Sequence, residues 1–383
     1  MAATIARAFP GTAPGGTLFV RIVKIPAQHP VFHGSSQKPR GQVLSMRRQN
    51  PVEQISGLCP DVYSVSLLSA KEKEELAGKF LPRVRYEIKA EIYGCCIKLL
   101  CDDHALKDTW EANFYSMSQN VRSHGRLYVF ADESCGPDTV RYDPCSKTAF
   151  LINFTYYGWI KSIALSLAGD ILEDEHDIFS MHGACLDIGG QGVCLVGLSG
   201  SGKTTHTYGL LTHPRTRVVS DDWFFSRVYG SDILAYGSER NFYIGEDVGK
   251  IWKEFGGLVE DGGFDGKGRA IADIRWVIGK GRILPMTTLR TIIVLRRDMD
   301  EENIVMTLDP QDGVGYFVKN RFFNPHLLVD SPDKERVRRR YAAALLGRTT
   351  AYVVNTRGTP AETQKWIRSL VGVPQAELPA GKP

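Results

Sequence analysis

Apolar and polar residues alternate strictly in one early segment, where Tyr86, Ile88, Ala90 and Ile92 fall on one face and Glu87, Lys89 and Glu91 on the other. A period of two puts such residues on opposite sides of a half-buried strand, so a strand is predicted over 86–93. Gly94 interrupts it, Cys96-Ile97-Lys98-Leu99-Leu100 continues the same sheet, and Arg126-Leu127-Tyr128-Val129-Phe130 reads as a further strand. The stretch from about 58 to 150 is thus expected to be α+β, a scaffold or a substrate-side lid, since it pairs no carboxylates and builds no nucleophile triad. From 153 to 172 the pattern becomes helical. Residues 179–188 read as a strand that passes through the hairpin turn Gly189-Gly190-Gln191-Gly192 into the apolar run Val193-Cys194-Leu195-Val196, a short buried strand. Farther on, Arg217-Val218-Val219-Ser220-Asp221-Asp222-Trp223 is predicted as an apolar strand ending in two carboxylates. Near the start, Leu18-Phe19-Val20-Arg21-Ile22-Val23-Lys24-Ile25 lies between Gly15-Gly16 and Pro26 and has the β-branched content of a short strand.

The 383 residues suffice for one large or two ordinary domains. Composition shifts suggest a basic, acid-poor extension over 1–55, the α+β region over 56–150, a core over 151–372 and a tail over 373–383. Up to about Asn50 the chain has no Asp or Glu but carries Arg7, Arg21, Lys24, Lys38, Arg40, Arg47 and Arg48. A transit peptide has that character, and so does a disordered arm or a wrongly assigned start. A net charge of +4 is small for this length and calls for no nucleic-acid partner. The eight cysteines form no C-x-x-C pair, which suits reduced thiols, and Cys185 and Cys194 fall in apolar runs as core fillers. No apolar stretch approaches the roughly 18 residues of a membrane span. A cytoplasmic protein is expected, with organellar targeting by the extension as the alternative.

The chemistry concentrates in Gly197-Leu198-Ser199-Gly200-Ser201-Gly202-Lys203-Thr204-Thr205. It fits the template of Gly, four residues and Gly-Lys-Ser/Thr between a strand and a helix, which cradles nucleotide phosphates. Gly197, Gly200 and Gly202 are expected to take positive φ so that successive amide N–H groups, with Ser199, Ser201 and Thr205 among them, point at phosphate oxygens. The following helix adds its positive end. Lys203 would reach the outer phosphates and the Thr204 hydroxyl a divalent cation. The acids at the next strand end complete the pattern: Asp222 can hold the metal while Asp221 takes a proton from an attacking hydroxyl.

Met181-His182-Gly183-Ala184-Cys185, the glycine-rich stretch and Ser220-Asp221-Asp222 together resemble the phosphoenolpyruvate carboxykinase series M-H-C-S-A-N, G-L-S-G-T-G-K-T-T and G-D-D, in the same order. HPr kinases of the same superfamily carry a similar series. The resemblance extends over about 156–367, with Tyr156-Tyr157-Gly158-Trp159-Ile160-Lys161-Ser162 similar to Y-A-G-E-M-K-K. Tyr341-Ala342-Ala343-Ala344-Leu345-Leu346 and Tyr352-Val353-Val354-Asn355-Thr356 are similar to Y-A-x-x-L and L-V-N-T-G near the nucleotide base. It implies that Lys203 is the phosphate lysine, that Thr204, Asp222 and His182 are metal residues, and that Arg269 stands near a family arginine. In the carboxykinases the second lysine of K-K ligates a further metal; here that position is Ser162, beside Lys161. No counterpart of the R-S-P-K-D-K or S-x-G-R segments is found, and decarboxylation of oxaloacetate needs such cationic clamps.

The chain is therefore expected to be an α/β protein with a phosphoenolpyruvate carboxykinase/HPr-kinase-like nucleotide-binding core and an N-terminal α+β region. Its expected activity is ATP-dependent transfer of the γ-phosphate to a hydroxyl acceptor, with ATP and Mg²⁺, or Mn²⁺ as the alternative metal. Asp221 is the expected base, and Lys203 and His182 act on the phosphate. Acceptor contacts are expected from Ser238-Glu239-Arg240-Asn241-Phe242-Tyr243 and from Lys267, Arg269 and Arg275, chiefly Arg240 and Arg269. A small-molecule acceptor ranks first, then a protein serine, then nucleotide binding without chemistry; carboxykinase activity ranks last. No nucleic-acid or membrane partner is expected.

Overall fold

The chain divides into two units, Met1–Gln49 and Asn50–Pro383, and the computed structural model describes residues 4–5, 23–24, 63–257, 263–264, 269–273 and 275–374. In the first unit β1 (Thr4–Ile5) pairs antiparallel with β2 (Val23–Lys24), which falls inside the strand expected over 18–25. The rest of the extension, Cys59, Lys267 and residues 375–383 of the tail lie outside the described residues.

In the second unit, β3 (Val65–Leu67) and α1 (Ala70–Phe80) lead into β4 (Tyr86–Ile92) and β5 (Cys95–Cys101). Tyr93 and Gly94, with φ of 45° and 78°, make the tight turn between β4 and β5, the twist that a two-residue hairpin requires. Next come α2 (His104–Asn113), β6 (Tyr115–Ser116), β7 (Gly125–Phe130), β8 (Thr139–Asp143) and β9 (Thr148–Ile152), giving one mixed sheet in the order β3-β8-β9-β7-β5-β4-β6. The Asp103 carboxylate caps α2 by accepting from the N–H of Ala105 at 2.8 Å.

Helix α3 (Tyr157–His176) starts four residues later than the apolar pattern suggested. Asn153 is the reason: it takes a left-handed φ of 64°, and its amide donates to the carbonyls of Asp132, Cys135 and Gly136, so its side chain fixes a turn instead of a helix. The helix is apolar nearly all round and, apart from the half-buried Ser162, is buried from Ile160 to Leu172, which a surface helix would not be. Ile163, Ala164 and Leu167 share one core with Leu99 and Leu127 of the first sheet and with Trp223 and Phe225 of the second.

The second sheet begins with β10 (Phe179–Ile188) and β11 (Gln191–Gly197), joined through Gly189 and Gly190, both at positive φ. Cys185 and Cys194 stand opposite each other in this pair, fully buried in the core as expected. Then follow α4 (Lys203–Leu211), β12 (Thr216–Ser220), β13 (Trp223–Tyr229), β14 (Asp232–Gly237), β15 (Asn241–Ile244), β16 (Gly263–Phe264), β17 (Ala270–Asp273), β18 (Met286–Arg296), β19 (Val305–Thr307) and β20 (Thr350–Asn355). Pairing runs from β11 to β10, β13, β14 and β18, and β18 pairs back with β11 in parallel, so these strands close a circuit. Strands β15, β17 and β16 make a separate small sheet.

Apolar clusters cover both faces of the second sheet. One contains Tyr208 and Leu211 of α4 and Ile367 of the helix Pro360–Leu370; the other contains Phe317, Tyr341 and Leu345 of the helices Pro310–Lys319 and Pro332–Leu346. Helices on both faces of a partly parallel sheet make this an α/β architecture. Strands β11, β18 and β20 are parallel neighbours whose carboxyl ends, Gly197, Arg296 and Asn355, line one edge. In α/β folds, ligands bind beyond the carboxyl ends of parallel strands, as at this edge. Among the described residues no helix is long and apolar enough to cross a membrane.

Candidate nucleotide and acid site

The glycine-rich stretch leaves β11 at that carboxyl edge and turns into α4 at Lys203. Gly200 and Gly202 have φ of 77° and 96°, which only glycine adopts freely, but Gly197 does not share this conformation. Gly197 is required for space. A Cβ there would come within 2.5 Å of the Leu295 carbonyl oxygen and the Ser201 hydroxyl. Ser199 and Gly200 are exposed, whereas Ser201 is 5% exposed and its hydroxyl oxygen has no hydrogen-bond partner. Lys203 donates to the Gly197 carbonyl at 2.7 Å, folding its ammonium back over the turn. Thr204 is half-buried on the first turn of α4, and the Thr205 carbonyl accepts from the Trp252 indole at 2.8 Å.

The expected strand over 217–223 is in fact two strands laid end to end against β10. β12 pairs with the second half of β10 and stops at Ser220, β13 pairs with its first half, and Asp221 and Asp222 form the step between them. A register shift between Cys185 and Leu186 kinks the pairing just before the step, as a bulge does where it re-aims side chains. The Gly183 N–H donates to the Asp222 carbonyl at 2.8 Å, fixing the step, and His182 directly opposes Trp223.

This step brings His182, Asp221 and Asp222 together. The His182 Nε2 lies 3.4 Å from the Asp222 carboxylate. The ammonium that reaches Asp222 belongs to Lys161, not to position 162: it donates to Asp222 at 3.2 Å and to Glu239 at 3.1 Å. Glu239 also accepts from the Asn113 amide at 3.3 Å, and the ring of Tyr243 lies under Lys161 with 4.5 Å to its centroid. Sequence reasoning placed Lys161 outside the site and passed over Asn113. A buried cation in an apolar helix was the available signal for the first; the second had none.

Charge follows from this packing. Burial lifts the Asp221 carboxyl well above the ordinary range, and the charges of Asp222 and Glu239 push it the same way. Its Oδ1 is buried without a hydrogen-bond partner. Burial also acts upward on Asp222, but Lys161, the hydrogen bond from His182 and Lys203 outweigh it and hold that carboxyl well below the ordinary range. Burial, and then the nearby Lys203, keep His182 below its ordinary value. Burial pulls Lys161 down, yet Glu239 and Asp222 more than offset it and keep the ammonium charged. Lys203 is thus close enough to act on both His182 and Asp222 through its field.

Of the segment 238–243, Glu239 and Tyr243 face this cluster. Arg269 stacks on the same Tyr243 ring, 5.1 Å from its centroid, and donates to the Tyr156 hydroxyl. Arg240 lies over the Tyr115 ring and 3.9 Å from Asp273, and Arg275 pairs with Asp273 as well. Among the described residues no group of three or more His, Cys, Asp or Glu side chains is assembled to hold a metal ion.

No protein-family model and no curated protein matches the chain. Among solved structures, the chain is similar to the Hpr(Ser) kinase/phosphatase from Coxiella burnetii, at 14% identity and a TM-score of 0.29, over 50% of this chain and 95% of that one.

Proposed function

We propose that this chain is an ATP-dependent kinase that transfers the γ-phosphate to a hydroxyl acceptor, built on a core of the carboxykinase and HPr kinase type. The observation that carries this is the glycine-rich turn at the carboxyl edge of β11, with Lys203 at its end facing His182 and the Asp221–Asp222 step. The buried, unpartnered Ser201 hydroxyl and Asp221 Oδ1 fit polar ligand atoms at this place. The N–H groups of the turn and the start of α4 bind phosphate oxygens, Lys203 swings from its carbonyls to the outer phosphates, and Arg269, stacked on the Tyr243 ring of the cluster, orients the acceptor. Thr204 and Asp222, with His182 beside them, would hold Mg²⁺ jointly with phosphate oxygens, since the described residues alone assemble no closed metal site. Bound Mg²⁺ would neutralise the charge that builds on the transferring phosphoryl group. Asp221 takes the proton of the attacking hydroxyl, and its raised affinity for protons brings it toward the pH at which it works.

The two acids are expected to separate cleanly. Asp221→Asn should lower turnover by roughly 10²–10⁴ with nucleotide binding kept, whereas Asp222→Asn should raise the Mg²⁺ requirement sharply. Their stabilities should move in opposite directions. An unfolded Asp titrates at about 3.9; with its folded value raised, Asp221 contributes stability below that pH and loses it as pH rises through the folded value, so Asp221→Asn gains stability at neutral pH. Asp222 is lowered, contributes above about pH 4, and its loss destabilises. Turnover and urea midpoints of both variants check this, and equal loss of metal affinity in both would end the division of roles.

A charged Lys161 ammonium cannot ligate a metal, and the acids beside it are hard oxygen ligands suited to Mg²⁺. Mg²⁺ alone is therefore expected to support full activity, with no carbon dioxide released from oxaloacetate. The test is a transfer screen with labelled ATP over metabolite pools and candidate proteins, with oxaloacetate and Mn²⁺ as a separate arm. Mn²⁺-dependent formation of phosphoenolpyruvate would replace the kinase by a carboxykinase, and failure of the chain to bind Mg²⁺–ATP would overturn both.

A further inference from the structure

Asn113 is the last helical residue of α2 and has no exposed surface. A buried amide must find partners for its donors and its acceptor. Its Nδ2 donates to Glu239 at 3.3 Å, its Oδ1 accepts from the Tyr243 hydroxyl at 3.4 Å, and its main-chain carbonyl accepts from the Arg240 N–H at 3.0 Å. All three partners belong to 239–243, the segment that faces the acids.

Glu239 passes the contact on. Its second oxygen accepts from Lys161, the Lys161 ammonium reaches Asp222, and Asp222 meets His182, so one run of polar contacts joins the end of α2 to the step between β12 and β13. Lys161 is 3% exposed and shared by two carboxylates, of which the Glu239 side chain is wholly buried and the Asp222 side chain 37% exposed. Whatever part of the ammonium Glu239 does not hold falls to Asp222. By donating to Glu239, Asn113 keeps that carboxylate aimed at Lys161 and leaves the open side of Asp222 to a cation.

We propose that Asn113 is a positioning residue for the cation at Asp222, acting through Glu239 and Lys161. The inference rests on the kinase reading above, and it makes the first sheet, through α2, part of the catalytic unit. Groups one shell removed from a metal typically change its affinity by about 10–100-fold when lost.

The test is calorimetric binding of a non-hydrolysable ATP analogue, with Mg²⁺ titrated and with Mg²⁺ chelated, to the wild-type chain, Asn113→Leu, Glu239→Gln and the double variant. Leucine keeps the volume of Asn113 and removes its hydrogen bonds. In Asn113→Leu the Mg²⁺ concentration for half-maximal binding is expected to rise about tenfold, while affinity without Mg²⁺, set by the glycine-rich turn and Lys203, stays unchanged. A residue that only holds the fold would move both affinities or neither. In the Glu239→Gln background, where no buried carboxylate is left behind, adding Asn113→Leu is expected to shift the midpoint no further. Equal Mg²⁺ midpoints in wild type and folded Asn113→Leu, or a full further shift in the double variant, would overturn the proposal alone. Absence of Mg²⁺-dependent binding by the wild-type chain would overturn the kinase reading with it.

Discussion

Replacing Lys203 with alanine is expected to lower phosphate transfer by about 10²–10³ or more, the usual worth of a preorganised charge on the transferring group. The fold should survive. Lys203 is half-buried at the first position of α4, and its contacts in the resting chain include the carbonyls of Gly197 and Leu198 in its own turn. Alanine is the best helix former for that position. Circular dichroism and thermal melting of Lys203→Ala should match the wild type while its rate collapses. Wild-type turnover in a folded Lys203→Ala protein would sink the assignment of the phosphate turn.

The largest effect on stability is expected at Lys161. Its ammonium is the sole cation hydrogen-bonded to Glu239 among the described residues, and methionine would leave that carboxylate buried with the Asn113 amide alone. Breaking a buried pair by removing one partner costs about 3–5 kcal/mol, because the remaining charge stays desolvated. Lys161→Met should lower the urea midpoint accordingly. Lys161→Met with Glu239→Gln should recover much of the loss, since neutralising both ends removes the stranded charge. An unchanged midpoint in Lys161→Met would mean that solvent reaches Glu239 and that the cluster is not the closed network described.

What was legible in the sequence was what depends on near neighbours. β4 could be read because a period of two is local, and the turns at Gly94 and Gly189-Gly190 because positive φ is a property of the residue itself. The start of α3 could not, because Asn153 spends its amide on carbonyls about twenty residues earlier. Gly197 was read for the wrong reason: its lack of a Cβ answers to Leu295, a contact across the sheet. Asp221 and Asp222 were found through their distance from the glycine-rich turn. Their environment was not, since Lys161 lies 61 residues before Asp222 and Asn113 lies 126 residues before Glu239. Two-sheet packing alone brings these together, and no pattern along the chain encodes it.

Helix α3 touches solvent only near its ends and is claimed by both sheets at once. Neither sheet can shed it without exposing its own apolar face to water. Loss of either sheet therefore takes the other with it, and denaturation of the two sheets with α3 becomes all-or-none rather than piecemeal. Partial opening is confined to segments outside that shared core, such as the small β15-β17-β16 sheet beside the acids, which meets α3 at Tyr243 under Lys161. Amide protons of α3 should then exchange only through global unfolding, the slowest route the chain has, while the rim of the site exchanges through small local excursions.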